Sequence, residues 1–192
     1  MAKKIFDTFF AITGLLLLWG VILVFFIAAT LSTGQNGMFV QVRIGQNGKK
    51  FKIYKLRSIK NVSGNKLVTP LGCFMRKYKI DELPQLFNIL IGEMSFVGPR
   101  PDLPGYYDTL QGADRELLKL KPGLTGPASL KYANEEELLA QVNDPLAYND
   151  QVLFPDKVKI NLSYQKHQTL WLDVKLIVYT LIGKKPKEHY LQ

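Results

Sequence analysis

Apolar residues run without interruption at one end of the chain and recur at helical or strand spacing over the rest. From Thr8 to Gln41 there is no charged residue, and Phe9 to Leu31 is almost wholly apolar. At about 1.5 Å of rise per residue, that stretch can reach across a hydrocarbon core about 30 Å thick. It is therefore expected to be a membrane element. The run is longer than the apolar region of a secretory signal, and no small-residue cleavage site clearly follows it. Lys3 and Lys4 precede it; Arg43, Lys49, Lys50, Lys52, Lys55 and Arg57 follow. Basic residues on both flanks favour both ends on the cytoplasmic side. A re-entrant hairpin broken near Gly14 or Trp19-Gly20 would satisfy that pattern, and a straight spanning helix is the alternative.

After the turn-rich Gly34-Gln35-Asn36-Gly37, Phe39 to Ile44 and Phe51 to Arg57 read as two short strands around Gln46-Asn47-Gly48. Asn-Gly between two such runs is a strong hairpin signal. Ser58 to Val68 reads as a polar loop. Thr69-Pro70 then reads as an N-cap with proline at the first helical position, opening a short helix that carries Arg76, Lys77 and Lys79. A second helix is expected from about Asp81 to Leu90, with Leu83, Leu86, Phe87 and Leu90 as its core face. Met94 to Val97 reads as a buried strand and Gly98-Pro99-Arg100-Pro101 as a rigid turn. The remainder reads as mainly helical, with breaks at Lys121-Pro122-Gly123 and Asn143-Asp144-Pro145. Asp156 to Ile182 carries an apolar stripe (Leu170, Trp171, Val174, Ile177, Val178, Leu181) that suits either a core helix or one lying in a membrane interface. The predicted class is α+β. Residues 1–36 form the membrane helix or re-entrant hairpin. Residues 37–192 form a small, mainly helical cytoplasmic domain with a short β-hairpin and interfacial amphipathic helices.

Charge sharpens this picture. With 25 Lys+Arg against 16 Asp+Glu, the formal charge is +9, which suits an anionic partner: nucleic acid, acidic lipid or a phosphorylated small molecule. Cys73 is the only cysteine, so no internal disulfide can form, and a cytosol-facing location is the simpler reading. With only His167 and His189 beside it, a Cys/His zinc site is excluded, and any metal must sit on oxygen ligands, as magnesium does.

The sign of the charge is also unevenly spread. Between Asp7 and Asp81 there is no acidic residue, while Arg43, Arg57, Arg76, Lys77 and Lys79 accumulate; the first carboxylates to appear are the adjacent Asp81-Glu82. At the start of a helix and just after a basic run, such a pair is expected to be held ionised, as a nucleophile requires. It would equally suit a diphosphate bridged to a carboxylate by magnesium. Spacing alone is also compatible with two ordinary first-turn residues complementing the helix dipole.

Several linked segments resemble the bacterial sugar transferase family, the small monotopic phosphoglycosyl transferases. They are Val42 to Gly48, Phe51 to Ser58, Arg76 through Asp81-Glu82-Leu83-Pro84-Gln85-Leu86-Phe87-Asn88, Gly92 to Pro101, and Lys121 to Gly126. The resemblance runs in order over almost the whole chain. It implies a sugar-1-phosphate transfer from a UDP-sugar to polyprenyl (undecaprenyl) phosphate at the cytoplasmic face of the inner membrane, with release of UMP, as the first membrane step of surface-glycan assembly. It implies Asp81 as the nucleophile that forms a phosphosugar-aspartyl intermediate, Glu82 as its catalytic partner that helps hold magnesium or manages the protons, and Asp81 and Glu82 as the Mg2+ ligands. Arg76 and Arg100 match the family's arginine positions on either side of the dyad, where guanidinium forks clamp phosphate oxygens. Lys55 and Arg57 fall in its hairpin motif and are expected at the same anionic pocket. The expected partners are the UDP-sugar, polyprenyl phosphate and membrane lipid, not nucleic acid. A homodimer is an open alternative to a single copy.

The chain departs from the family pattern at Trp19-Gly20, where a Ser-Pro pair usually breaks the membrane helix, and in the short Ser58 to Val68 loop. A membrane-tethered module binding anionic ligands without catalysis would explain the charge and the anchor, but not the acidic pair inside the basic region. An inactive scaffold is the third alternative, against which stand the intact dyad and both arginines.

Overall fold

The computed structural model describes residues 1–62 and 64–184, and His189 lies outside them. The protein is α+β, with one long apolar N-terminal helix and a few short strands. It divides into two compact units, one formed by Met1–Arg43 and Lys50–Met94, the other by Ile44–Lys49 and Ser95–Gln192.

In the first unit, helix α1 spans Ala2–Thr33 and ends on Gly34, whose left-handed backbone (φ 68) lets its N–H close on Thr30 O at 2.9 Å. The helix is continuous through Gly14 and Trp19-Gly20, where a break was expected. Without proline, neither site removes a backbone donor, so the i to i−4 ladder has no reason to open there. Only 6 % of its most apolar stretch is buried, and Leu16, Leu17, Trp19, Val24 and Leu31 are exposed. A helix buried inside a water-soluble core would hide these side chains. α1 is thus long and apolar enough to cross a membrane, and suited to membrane association.

One side of α1 nevertheless packs on its own unit. Ala29 joins Leu56 and Met75 in a buried cluster against which Ile22, Phe25, Phe26, Leu71 and Ile80 pack. Leu56 and Met75 are at most 1 % exposed, worth about 1.5–3 kcal/mol of burial each. Strands β1 (Met38–Ile44) and β2 (Lys50–Leu56) pair as the Asn-Gly signal predicts, with Asn47 at φ 58 and Gly48 at φ 74 in the turn. The stretch read as a polar loop forms a second, antiparallel hairpin, β3 (Ile59–Val62) with β4 (Asn65–Val68). Both strands lie almost wholly at the surface, so no apolar alternation advertised them. Helix α2 (Pro70–Lys77) is capped by Thr69 as expected, and α3 is the short Gln85–Leu90. The buried face of α3 is Gln85, Leu86, Asn88 and Ile89. Phe87, expected in the core, is 45 % exposed and meets Tyr54 edge to face.

In the second unit, β5 (Ser95–Val97) and β6 (Gly123–Thr125) pair in parallel, with Ser95 opposite Gly123 and Val97 opposite Thr125. Tyr107–Thr109 and Gly112–Lys119 form 3-10 turns rather than α-helix. Short helices α4 (Pro127–Lys131), α5 (Glu135–Ala140) and α6 (Pro145–Tyr148) follow, broken at Asn143-Asp144-Pro145 as predicted. The expected last segment is two helices, α7 (Phe154–His167) and α8 (Leu170–Leu181), because Thr169 caps a new start by accepting from Leu172 N–H. Leu176 is buried with Val97, Leu130 and Tyr164, while Trp171, Val178 and Leu181 face outward.

Candidate active site

The first unit presents Asp81 and Glu82 between α2 and α3. α2 is fixed at its start by Thr69 Oγ1, which accepts from Gly72 N–H at 2.9 Å. Gly72 passes so close to the backbone that a β-carbon there would lie 2.1 Å from Ser58 O. This approach brings the last turn of α2 to the same residue, and Arg76 Nε donates to Ser58 Oγ at 3.0 Å. The chain then reverses at Lys79, whose backbone is left-handed (φ 57, ψ 21). Asp81 and Glu82 follow in a 3-10 turn, Ile80–Glu82, not in the first turn of an α-helix as the sequence suggested. Pro84 precedes α3 and starts it late.

Both carboxylates are buried, Asp81 at 7 % and Glu82 at 6 % exposure. Lys55 on β2 reaches Glu82, Nζ to Oε1 at 2.9 Å. Asp81 Oδ1 is buried with no hydrogen-bond partner, and so is Nε2 of Gln85. A buried polar atom left unpaired costs about 1–3 kcal/mol. The carboxyl of Asp81 is pushed above its ordinary value, first by burial and then by Glu82; Lys55, Lys79 and Arg76 pull the other way and do not outweigh them. The charge pattern had suggested a carboxylate held ionised by its cations. Burial reverses the direction, because loss of hydration disfavours the charged form more than these partners favour it.

Of the six residues predicted for the site, Lys55, Arg76, Asp81 and Glu82 are brought together. Arg57 donates from Nε to Asn36 O at 2.6 Å and lies over the Phe39 ring, bracing the end of β2 against the segment after α1. Arg100 belongs to the second unit, where it lines a small cleft with Gly45, Pro99, Pro101 and Tyr107.

The sequence reading missed two residues, Gln85 and Asn88. Asn88 is fully buried; its Nδ2 donates to Lys52 O at 2.7 Å and to Glu93 Oε2 at 2.8 Å, while its Oδ1 accepts from Tyr54 N–H at 3.3 Å. It thereby holds the strand backbone just before Lys55. An amide inside the otherwise apolar run Leu86 to Leu90 was the available signal.

No group of three or more His, Cys, Asp and Glu gathers among the described residues. The donor set here is a pair of hard carboxylates with one orphaned oxygen. That fits magnesium, which takes one or two protein carboxylates and completes its shell with water and substrate phosphates. It does not fit zinc.

A family model described as bacterial sugar transferase matches residues 1–184, and the chain belongs to that family. Among curated relatives, it is 31% identical over 202 residues to galactosyl transferase CpsE of Streptococcus agalactiae, covering 94% of this chain and 41% of that protein. A putative undecaprenyl-phosphate N-acetylgalactosaminyl 1-phosphate transferase of Bacillus subtilis is 43% identical over 119 residues, 57% of this chain and 66% of the relative. The uncharacterized sugar transferase EpsL of B. subtilis is 34% identical over 188 residues, 93% of this chain and 85% of that protein. The chain thus spans less than half the length of the first of these relatives and just under two thirds of the second.

Proposed function

We propose that this protein is a phosphoglycosyl transferase that moves a sugar-1-phosphate from a UDP-sugar to polyprenyl phosphate and releases UMP. The observation that carries the reading is the buried, unpartnered Oδ1 of Asp81, surrounded by Lys55, Lys79 and Arg76. Relatives named as undecaprenyl-phosphate sugar-1-phosphate transferases support the reaction class.

Asp81 Oδ1 attacks the sugar-bearing phosphorus, the bond from that phosphorus to UMP breaks, and UMP leaves. A phosphate oxygen of the polyprenyl phosphate then attacks the same phosphorus and the Asp81 carboxylate departs, giving polyprenyl-diphospho-sugar. Once ionised, Asp81 is the stronger nucleophile because it is desolvated and lacks a hydrogen bond that must first be broken. Lys55 holds Glu82 in place, and Arg76, anchored on Ser58, is assigned to phosphate oxygens on the family pattern. Arg100 is assigned to phosphate and Arg57 to the substrate side on the family pattern. Asp81 and Glu82 would hold a magnesium ion, which when bound supplies charge neutralisation for the phosphates.

The same reading makes residues 1–36 the membrane-embedded part and residues 37–192 the catalytic domain on the cytoplasmic side, acting at the start of surface-glycan assembly. With α1 unbroken, the insertion is that of a straight helix rather than of a bent hairpin. Between Gly14, whose β-carbon would lie 3.1 Å from Leu86, and Ala29, α1 lies against its own unit. Asp7 and Ala11 near its start and Ala29 and Thr33 near its end are buried, so parts of α1 at both ends are withdrawn from the surroundings. The outward residues of α8 then suit the interface, with Lys175 over the Trp171 ring at 5.6 Å.

The test is UMP release from a panel of UDP-sugars with magnesium and undecaprenyl phosphate, comparing the intact protein with Asp81→Asn. Release that vanishes in the variant is expected. No release with any donor would overturn the reading in favour of a scaffold or binding module.

A further inference from the structure

We propose that a strip of aromatic side chains, running from the membrane helix to the turn that carries Asp81, is the binding track for the isoprenoid chain of the acceptor, with Lys77 and Lys79 receiving its phosphate. This rests on the reaction proposed above and names where its lipid substrate sits.

The strip lies entirely within the first unit. On α1, Leu17, Val21 and Phe25 recur at intervals of four residues and so share one face; Leu17 is 74 % and Val21 39 % exposed. Phe25 stacks on Phe74 of α2, with ring centroids 6.1 Å apart and planes 11° from parallel. One turn further along α2, Phe74 meets Tyr78 at 4.8 Å. Phe74 and Tyr78 keep 47 % and 58 % of their surface exposed. Folding alone does not explain two large rings stacked in series yet left open. Their partner must be apolar, since an exposed aromatic surface of this kind is stabilised by taking up further apolar area.

Charge identifies the occupant. Tyr78 ends α2 and Asp81 lies three residues on, a span of at most about 11 Å of chain. Lys77 lies 5.6 Å from the Tyr78 ring centre, and Lys79 occupies the left-handed turn; both are exposed. An apolar track that begins on a lipid-facing helix and ends in two cations beside a buried nucleophile matches a long hydrocarbon ending in a phosphate. It does not match a nucleotide, whose polar surface would gain nothing from Phe25 and Phe74. It also differs from a plain bilayer anchor in setting Lys77 and Lys79 within four residues of Asp81. The track would deliver the acceptor phosphate to the phosphorus held on Asp81 while the chain stays in contact with α1.

The full chain in phosphatidylcholine nanodiscs, labelled by a polyprenyl phosphate carrying a photoreactive diazirine, provides the test. Expected are labelling of the peptides that contain Phe25 and Phe74 to Tyr78, displacement by undecaprenyl phosphate far better than by undecaprenol, and a loss of at least tenfold in Phe74→Ala/Tyr78→Ala. That variant should still insert in vesicles as the parent does, and Phe74→Leu/Tyr78→Phe should recover most of the labelling. Labelling spread evenly over α1 and unchanged in the variant would overturn the proposal, as would a loss of labelling that follows only from failed insertion. Exchange of labelled UMP into a UDP-sugar, run without acceptor, separates the two ideas. If the parent exchanges and the variant matches it while its labelling falls, both stand. If no exchange occurs with any donor, the reaction proposal fails, and the labelling still decides the track.

Discussion

Two buried carboxylates, Asp173 in the second unit and Asp81 in the first, are treated in opposite ways. In the second unit, Asp173 is fully buried and receives a hydrogen bond from Tyr164, whose hydroxyl in turn accepts from Gln168 Nε2 at 2.8 Å. Asp156, which is only half-buried, receives Lys131 Nζ at 2.7 Å and Tyr132 Oη at 2.5 Å on the same oxygen. Burial pushes the Asp156 carboxyl up, but these hydrogen bonds outweigh it and leave it below its ordinary value. In the first unit, Asp81 is buried with an orphaned oxygen and lies above its ordinary value. The contrast separates carboxylates that hold a fold together from one whose desolvation the fold tolerates without return. An oxygen kept dry and unpaired beside three cations suits a ligand or a reacting atom that arrives later.

The strongest way to break this contrast is Asp81→Asn. It should abolish turnover by at least about 10³-fold while the melting temperature stays level or rises, measured side by side by UMP release and thermal unfolding. A fall of several degrees would place Asp81 with the structural carboxylates. Asp173→Ala should do the reverse. Removing the partner of a buried tyrosine hydroxyl costs about 1–3 kcal/mol, and each kcal/mol lowers the melting temperature by about 2–4 °C in a chain of this size. Donor exchange per folded molecule should survive that change.

Lys55→Ala against Lys131→Ala sharpens the comparison further. Lys55 lowers the Asp81 carboxyl and holds Glu82. Its loss should reduce kcat/KM by about 10²-fold and move the acid limb of the pH profile upward, because the nucleophile then needs a higher pH to ionise. Lys131→Ala should leave that limb in place.

The smallest effect is in stability against pH. The Asp156 contribution is complete above the ordinary value of 3.8 and is lost as pH falls through its lowered folded value. Asp81 has the opposite sign: its contribution is present below 3.8 and is lost as pH rises through its raised folded value. Melting temperatures from pH 3 to 8 should therefore show Asp156→Asn flattening the acid side and Asp81→Asn gaining relative to the parent toward neutrality.

Much of this was legible in the sequence because the signals were local. The uncharged run through α1, Asn47-Gly48 in the first hairpin, and Thr69-Pro70 opening α2 each act within a few residues of themselves. The identity of the dyad was legible from its place in a basic region and from the family resemblance. What escaped depended on contacts distant in sequence. The Asp81 environment is set by Lys55 and by burial under other elements, which no spacing rule encodes. Asn88 matters because it meets Lys52 and Tyr54, more than thirty residues away. The β3–β4 hairpin escaped for a different reason: both its faces are exposed, so it lacks the apolar alternation that marks a strand.

The most direct test of the account is the intact mass of the protein after incubation with a donor UDP-sugar and magnesium in the absence of acceptor. The account predicts an adduct of one phosphosugar on the peptide containing Asp81, discharged when undecaprenyl phosphate is added. Turnover with acceptor present but no adduct at any time, or an adduct on another residue, would contradict it.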